Sequence, residues 1–205
     1  MKNFLAIDTS CNYLTVLAVK DGNPSAVFLP DCSMRHSVEF MGAVDQALKK
    51  AEISLDECDF FAAVVGAGSF TGIRIAISAI KGFASALKKP TLAVTSFDVA
   101  AYNAIESGKT LALVDALHDC YYACGYENGE VCYSPAYLTE EQVLALAEEG
   151  YTLCSCGELP IQEKAPVKKA DPVAGLLAAV GALAQKQAFG DLEALYVRKS
   201  SAERE

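Results

Sequence analysis

A glycine-rich segment at residues 64–74, VVGAGSFTGIR, follows an apolar run and opens a stretch of small residues. Strands that end in glycines and lead into a helix often hold phosphate, because the first helical amides lack partners and the helix dipole favours an anion. Five residues of this segment are weak candidates for cofactor binding: Gly66, Gly68, Ser69, Thr71 and Gly72. The alternative is a tight strand-to-helix turn in which Ser69 or Thr71 caps the helix.

The sequence of this segment differs from the known phosphate-binding motifs. No lysine follows Gly72, as a Walker A loop requires, and Thr71 stands where the dinucleotide fingerprint needs its third glycine. A nucleophile elbow around Ser69 would also need a glycine in place of Ala67. The motif alone therefore favours the structural turn.

Asp8 is a further weak candidate, at the end of the first apolar segment, FLAIDTS. Actin-like ATPases place a carboxylate near the metal and phosphates at this point, whereas an Asp in a turn also commonly bonds the backbone of that turn. The matching place in the second half has Asp115 followed by Ala116 and Leu117, where such an ATPase carries glycines. A leucine would obstruct a phosphate, so half of a nucleotide site is missing.

Other chemistry has little support in the residue types. The chain has two histidines, His36 and His118, which are far apart. Four of its eight cysteines come close enough in sequence to suggest zinc, but they form no C-x-x-C pair and alternate with strand-like residues: Cys120, Cys124, Cys154 and Cys156. We expect reduced thiols, no metal site, no catalytic residue and no cofactor bound by this chain alone.

The composition limits what the protein can bind and where it is located. The 205 residues are 52% hydrophobic and carry a net charge of −9, so the surface repels a polyanion and any role near RNA would run through a partner. The start of the chain does not look like a secretory signal, and no apolar run approaches the roughly 20 residues of a membrane span. We expect a cytoplasmic protein without a membrane segment.

Two similar runs of elements position these residues. The first half predicts strands at 3–9, 13–20, 25–29, 60–65 and 91–95, with helices at 36–51, 72–87 and 96–105. After residue 107 the pattern restarts, with strands at 110–116, 120–127, 131–138 and 151–156 and helices from Thr139 and from Asp171 to about Gln187. This order predicts a duplicated α/β fold of the ASKHA (actin/Hsp70/sugar-kinase) type, with subdomains at 1–106 and 107–205.

The helix at 72–87 is apolar nearly all round and rich in small residues. Such a helix either lies inside an α/β layer or packs closely against another helix, and residues 36–51 carry a similar small-residue stripe. The two interpretations remain open at this point. For a docking surface, the predicted partner interface is Met41, Val44, Leu48, Ile73, Ala76, Ile80 and Phe83.

Several segments together resemble the TsaB (YeaZ) family: FLAIDTS, RHSVEF, VVGAGSFTGIRIAIS, LALVDALHDCYYACGY and LYVRKS. The resemblance implies an ASKHA-fold, non-catalytic scaffold or activator that dimerises with TsaD, the subunit that transfers threonylcarbamoyl to the adenosine beside the anticodon of tRNA. It also implies that a TsaE-like ATPase joins the complex, that ATP and a metal ion are held there by the partners, and that the isolated chain forms a homodimer or a monomer.

The chain departs from the family pattern in its second half. Leu117 and Cys120 stand where the family has an arginine and a glutamate, and little sequence lies between Gly157 and Asp171. Two other functions are weighed against the scaffold: an active ASKHA ATPase or phosphotransferase that uses Asp8 and the 66–72 loop, and a peptidase. The missing second glycine hairpin argues against the first, and the lack of a base spaced to serve a nucleophile argues against the second.

Overall fold

The computed structural model describes residues 2–102 and 108–198, which form two five-stranded mixed sheets. The strands of the first sheet are β1 (Phe4–Asp8), β2 (Leu14–Lys20), β3 (Asn23–Leu29), β4 (Phe60–Val64) and β5 (Thr91–Val94). Their order across the sheet is β3-β2-β1-β4-β5. The hairpin strands pair antiparallel, while β4 and β5, which follow crossovers, pair parallel.

The second sheet repeats this arrangement. Its strands are β6 (Thr110–Asp115), β7 (Cys120–Glu127), β8 (Glu130–Thr139), β9 (Thr152–Ser155) and β10 (Val167–Lys169). Read from the hairpin edge the order is β8-β7-β6-β9-β10, which matches the first sheet strand for strand. The duplicated ASKHA-type α/β architecture predicted from the sequence is therefore confirmed.

Five helices cover the sheets: α1 (His36–Ala51), α2 (Phe70–Leu87), α3 (Ser96–Ala101), α4 (Glu140–Glu148) and α5 (Pro172–Gln185). The first half connects β4 to β5 through α2. The second half connects β9 to β10 through only a 3-10 turn at Pro160–Glu163, and the short strand β10 was not predicted. This shortened crossover accounts for the small amount of sequence between β9 and α5.

The first sheet is buried on both faces. On one face, Leu5 and Ile7 of β1 pack with α1 and α2. On the other, Phe4 and Ala6 pack against Leu176 of α5, a helix that belongs to the second half of the chain. The alternation of side chains along a strand produces this division, and it explains why residues 4–7 of β1 and all of β4 are apolar.

A separate core joins the two halves. Phe97 and Ala101 of α3 pack together with Ala112 and Cys124 of the second sheet. At its edge the Tyr126 hydroxyl donates a hydrogen bond of 2.8 Å to Asp98 Oδ1. The halves are therefore connected by a dry, close-packed contact as well as by the chain itself.

Helix boundaries follow their caps. Helix α1 has the predicted bounds, whereas α2 begins at Phe70, two residues before the predicted start, because the Ser69 side chain accepts a hydrogen bond from the Gly72 amide at 3.2 Å. The last residues of the helix predicted at 96–105, and the subdomain boundary predicted between residues 106 and 107, lie outside the described residues.

Helix α2 has the length and mean hydropathy, 1.3 over 18 residues, of a helix that could cross a membrane. Core helices of globular proteins have the same properties. Here α2 lies on the first sheet, with Ile73, Ala76 and Ile80 buried in its core. The apolar composition of α2 is thus explained by packing within the fold.

Candidate functional site

A cleft of about 1240 Å³ lies between the two halves. The β1–β2 turn and the glycine-rich loop form its first wall, and the β6–β7 hairpin forms part of the second. The residues before α5 complete it. This cleft is the place where the two halves of a nucleotide site would have to meet, so it is where each candidate residue is tested.

The glycine-rich loop closes on the chain's own backbone. The Ser69 amide donates to the Ser10 carbonyl oxygen at 2.7 Å, and the Thr9 hydroxyl donates to the Gly72 carbonyl oxygen at 2.6 Å. A side chain at Gly72 would overlap the Thr9 carbonyl oxygen, and one at Gly68 would overlap that of Ser10. Because these glycines have no side chain, two backbone segments can come into contact here. In a phosphate-binding loop the same lack of side chains lets a phosphate approach the backbone.

Of the five loop candidates, only Gly68 and Ser69 line the cleft. Ser69 caps α2, as one of the sequence alternatives predicted, and Thr71 is exposed elsewhere. The Gly66 carbonyl oxygen accepts from the Ser96 amide at 2.7 Å, and a side chain at Gly66 would come within 2.5 Å of the Leu195 carbonyl oxygen. The loop is thus a structural junction.

Asp8 is buried and satisfied by its own turn. Its Oδ1 accepts from the Ser10 amide at 2.8 Å and from the Ser10 hydroxyl at 2.6 Å, and its Oδ2 accepts from the Tyr13 hydroxyl at 3.1 Å. Burial raises the pKa of Asp8 above its ordinary value, and these hydrogen bonds oppose the rise. Because Asp8 does not line the cleft, its geometry supports the turn and not a metal or phosphate contact.

The hydrogen bonds continue beyond the turn. The Ser96 hydroxyl donates to the Ala67 carbonyl oxygen at 2.6 Å and lies 2.9 Å from the Ser10 hydroxyl oxygen. At the other end, Nε2 of the buried His36 lies 2.9 Å from the Tyr13 carbonyl oxygen. This buried network joins the turn, the loop, α1 and α3. Its members Ser10, Tyr13 and Ser96 were not singled out from the sequence, where nothing marks a contact between residues 86 positions apart.

The second hairpin lacks the features of a phosphate loop. Leu117 is 64% exposed and lines the cleft, as the sequence suggested. It begins a run of three residues with positive φ, 63°, 56° and 54° at Leu117, His118 and Asp119, none of them glycine. The Leu117 amide donates to Asp115 Oδ1 at 2.8 Å, so the carboxylate here also serves its own turn.

The charge of the cleft is unfavourable for a polyphosphate. Among the described residues that line it, four are acidic and one is basic: Asp31, Asp115, Glu158, Asp171 and Lys169. Lys169 Nζ lies 3.9 Å from Glu158 Oε1. With the Ser69 and Gly72 amides hydrogen-bonded within the chain, Asp8 buried and the cleft acidic, the residues present do not fit a nucleoside triphosphate and its metal ion.

The cysteines are mostly packed inside the fold. Cys154 is buried and Cys156 is half-buried, and burial raises the pKa of the Cys154 thiol to about 12 and that of Cys156 further. Over residues 2–102 and 108–198, no group of three or more His, Cys, Asp or Glu side chains comes together in a way that would hold a metal ion.

The predicted partner interface requires a correction. Four of its seven residues are buried inside the chain's own core and cannot meet a partner: Val44, Ile73, Ala76 and Ile80. Leu48 and Phe83 are half-buried against the same core. The small-residue stripes therefore serve the internal α/β layer.

A different set of side chains is exposed. Met34, Val38 and Met41 are 92%, 77% and 56% exposed, and only Met41 was among the predicted residues. Val38 and Met41 are three residues apart on α1 and share a face of that helix, while Met34 lies in the turn just before it. We refer to Met34, Val38 and Met41 as the α1 row.

Comparison with known proteins connects this geometry to a family. A profile of the TsaD family, described as tRNA N6-adenosine threonylcarbamoyltransferase, matches residues 28–201. The TsaB protein of Escherichia coli is 30% identical over 129 residues, which cover 62% of this chain and 55% of that protein. The chain belongs to the TsaD family, in its TsaB (YeaZ) branch.

Further relatives are consistent with this family assignment. A Pseudomonas aeruginosa structure, titled an uncharacterized protein with similarity to peptidase YeaZ, superposes with a TM-score of 0.82 at 26% identity and covers 97% of this chain and 100% of its own. The tRNA N6-adenosine threonylcarbamoyltransferase of Staphylococcus haemolyticus is 33% identical over 106 residues, covering 44% of this chain and 31% of that protein. The chain spans about half the length of the curated TsaB relatives it matches.

The contact between the glycine-rich loop and the β1–β2 turn predicts that alanine substitutions at two glycines of α2 change the stability of the fold differently. Gly72→Ala should destabilise the fold by about 2 kcal/mol or more, because the new methyl group overlaps the Thr9 carbonyl oxygen. Gly82→Ala is the matched control, since no atom lies within 4 Å of its added Cβ, and it should stabilise by about 0.5–1 kcal/mol. Urea unfolding measures both, and equal stability of the two variants would contradict the contact.

The buried Asp8 predicts a pH dependence. The pKa of Asp8 is higher in the folded chain than in the unfolded chain, so the unfolded chain loses this proton at lower pH. The stability that Asp8 contributes is therefore complete below about pH 3.8 and falls as the pH rises toward the raised pKa. Asp8→Asn should remove this fall, so the free energy of unfolding of the variant should rise relative to that of wild type as the pH increases from about 4. Asp8→Ala should instead lose about 2 kcal/mol, since Ser10 and Tyr13 lose their acceptor. Parallel pH profiles for wild type and Asp8→Asn would show that Asp8 has an ordinary pKa.

Proposed function

We propose that this chain is a non-catalytic scaffold subunit of a complex that makes threonylcarbamoyladenosine beside the anticodon of tRNA. The observation that carries the proposal is the α1 row, in which Val38 and Met41 on α1 and Met34 in the turn before it are exposed beside the core of the first sheet. Exposed apolar rows of this kind are typical of surfaces that another protein covers. The complex works in the cytoplasm.

The partner that fits this surface is a TsaD-like subunit. Proteins named tRNA N6-adenosine threonylcarbamoyltransferase match this chain at 30% to 33% identity over 44% of its length, so we expect a partner of that family to carry a helix equivalent to α1. Two related subunits can pair through equivalent helices about an approximate two-fold axis. The same self-complementary surface would form a homodimer when the partner is absent.

The cleft supports a role without chemistry of its own. The glycine-rich loop is filled by the β1–β2 turn, Asp8 serves that turn, and the cleft is lined mainly by acids. ATP and a metal ion therefore belong to the TsaD-like partner and to a TsaE-like ATPase that joins the complex, and tRNA is reached through those partners.

The rival functions find less support in the same residues. An ASKHA phosphotransferase would need Asp8 in the cleft, where it does not lie. The YeaZ-like Pseudomonas protein is titled as similar to a peptidase, and a peptidase would need an activated nucleophile. In this chain the Ser69 hydroxyl accepts a hydrogen bond from the Gly72 amide in the helix cap, and the Cys154 thiol is buried with a raised pKa.

Val38→Glu should weaken docking. The change places a charge in the middle of the α1 row, and its desolvation in the complex should weaken binding to a co-expressed TsaD-like subunit about tenfold or more. Calorimetric titration of the purified subunits measures the affinity. Gln46→Glu is the matched control, because it adds the same charge to an exposed position of α1 outside the row. Unchanged affinity of a folded Val38→Glu variant would remove the α1 row from the interface.

The isolated chain should not bind ATP. Titration with ATP and Mg²⁺ should give no saturable heat up to about 1 mM nucleotide, because the Ser69 and Gly72 amides already have partners within the chain and the cleft is acidic. The TsaD-like subunit serves as the positive control in the same buffer. Micromolar affinity of the isolated chain would instead favour the ATPase alternative.

A further inference from the structure

A second exposed surface combines two arginines with three aromatic rings. We call it the arginine–aromatic face, and it consists of Phe70, Arg74, Tyr137, Tyr196 and Arg198. It shares no residue with the α1 row, and the scaffold role described above does not use it.

One end of the arginine–aromatic face is built on the first turn of α2. The Arg74 guanidinium carbon lies 3.7 Å from the centre of the Phe70 ring, and Phe70 stacks with Tyr196 at 4.8 Å between ring centres. Arg74 Nε donates to the Tyr196 hydroxyl at 3.0 Å. Phe70 and Tyr196 are nevertheless 38% and 39% exposed, so much of this ring surface still faces water.

The other end lies on the second sheet. The Arg198 guanidinium donates to the Tyr137 hydroxyl at 2.9 Å, and its carbon lies 4.5 Å from the centre of that ring. Val197 packs into the core between the halves, which turns Tyr196 and Arg198 to the outside. Only Val197 separates Tyr196 at the first end from Arg198 at the second, so the two ends are adjacent along the chain.

The two guanidinium groups have unused hydrogen-bonding capacity. A guanidinium has five N–H donors, and Arg74 and Arg198 each give one to a tyrosine. Within the part of the chain that the structure describes, neither forms an ion pair with a carboxylate, whereas Arg35 pairs with Glu39 at 3.2 Å. Their contacts with the rings hold both groups in place, which lowers the entropy lost when a carboxylate binds.

The charge of the whole chain decides between two kinds of anionic partner. With a net charge of −9, the protein repels a polyanion such as RNA, and two arginines offset few phosphates. A short protein segment with up to three carboxylates experiences much less repulsion. Arginine, tyrosine and phenylalanine are also the residues enriched at protein–protein contacts.

We propose that the arginine–aromatic face binds an acidic, partly apolar segment of a partner protein. A carboxylate of that segment accepts hydrogen bonds from Arg74 or Arg198, and an apolar side chain covers the exposed rings of Phe70 and Tyr196. The proposal goes beyond the scaffold function, because it assigns a second protein contact to a different surface.

The test titrates the full chain, labelled with ¹⁵N, with the peptide Ac-Glu-Leu-Asp-Phe-Glu-NH2 and follows the arginine Nε–H signals. Saturable shifts are expected at Arg74 and Arg198 and not at Arg35. The amide counterpart, Ac-Gln-Leu-Asn-Phe-Gln-NH2, should bind at least about tenfold more weakly, because it lacks the carboxylates.

Variants separate this face from general charge effects. Arg74→Gln combined with Arg198→Gln should weaken peptide binding at least about tenfold, while the control Arg35→Gln combined with Lys49→Gln removes two positive charges elsewhere and should change it less than about twofold. Equal binding of the acidic and amide peptides, or no saturable shift, would overturn the proposal. Tighter binding of oligouridylate than of the peptide would also overturn it and assign the face to nucleic acid.

Discussion

The contact between the glycine-rich loop and the β1–β2 turn is the constraint on which the rest of the structure depends. Thr9 and Ser10 present their carbonyl oxygens where any side chain at Gly72 or Gly68 would collide. This contact fixes the start of α2, and the buried network around Asp8 ties it to α1 and α3. A loop of the kind that elsewhere surrounds a phosphate here surrounds a peptide backbone, so one sequence motif serves either a ligand or the fold.

The close packing between the halves has a similar effect on a larger scale. In enzymes that close around a ligand, two domains move about a hinge, and such motion requires an interface that can slide or open. Here α3 lies in an apolar core shared by the two halves of the chain, and Tyr126 is hydrogen-bonded to Asp98 at its edge. An arrangement of this kind favours a fixed shape that presents surfaces to partners.

Local signals in the sequence predicted the fold well, and contacts between distant segments were less accessible. The strand order, the bounds of α1 and the caps at Ser69, Thr139 and Asp171 follow from nearby residue types. The short strand β10 carries little pattern in three residues. The interface residues were misplaced because small and apolar residues such as Ala76 suit an internal layer and a docking helix equally, and only the burial observed in the structure separates the two.

The placement of α5 shows how far the two repeats have merged. This helix closes the second repeat in sequence, yet Leu176, Ala179 and Val180 fill the core beneath the first sheet. The first repeat therefore lacks the cover for Phe4 and Phe60 until the last helix has been synthesised. On the ribosome, the amino-terminal sheet would emerge with one face unprotected, so this duplicated protein acquires its native stability only when both repeats are present.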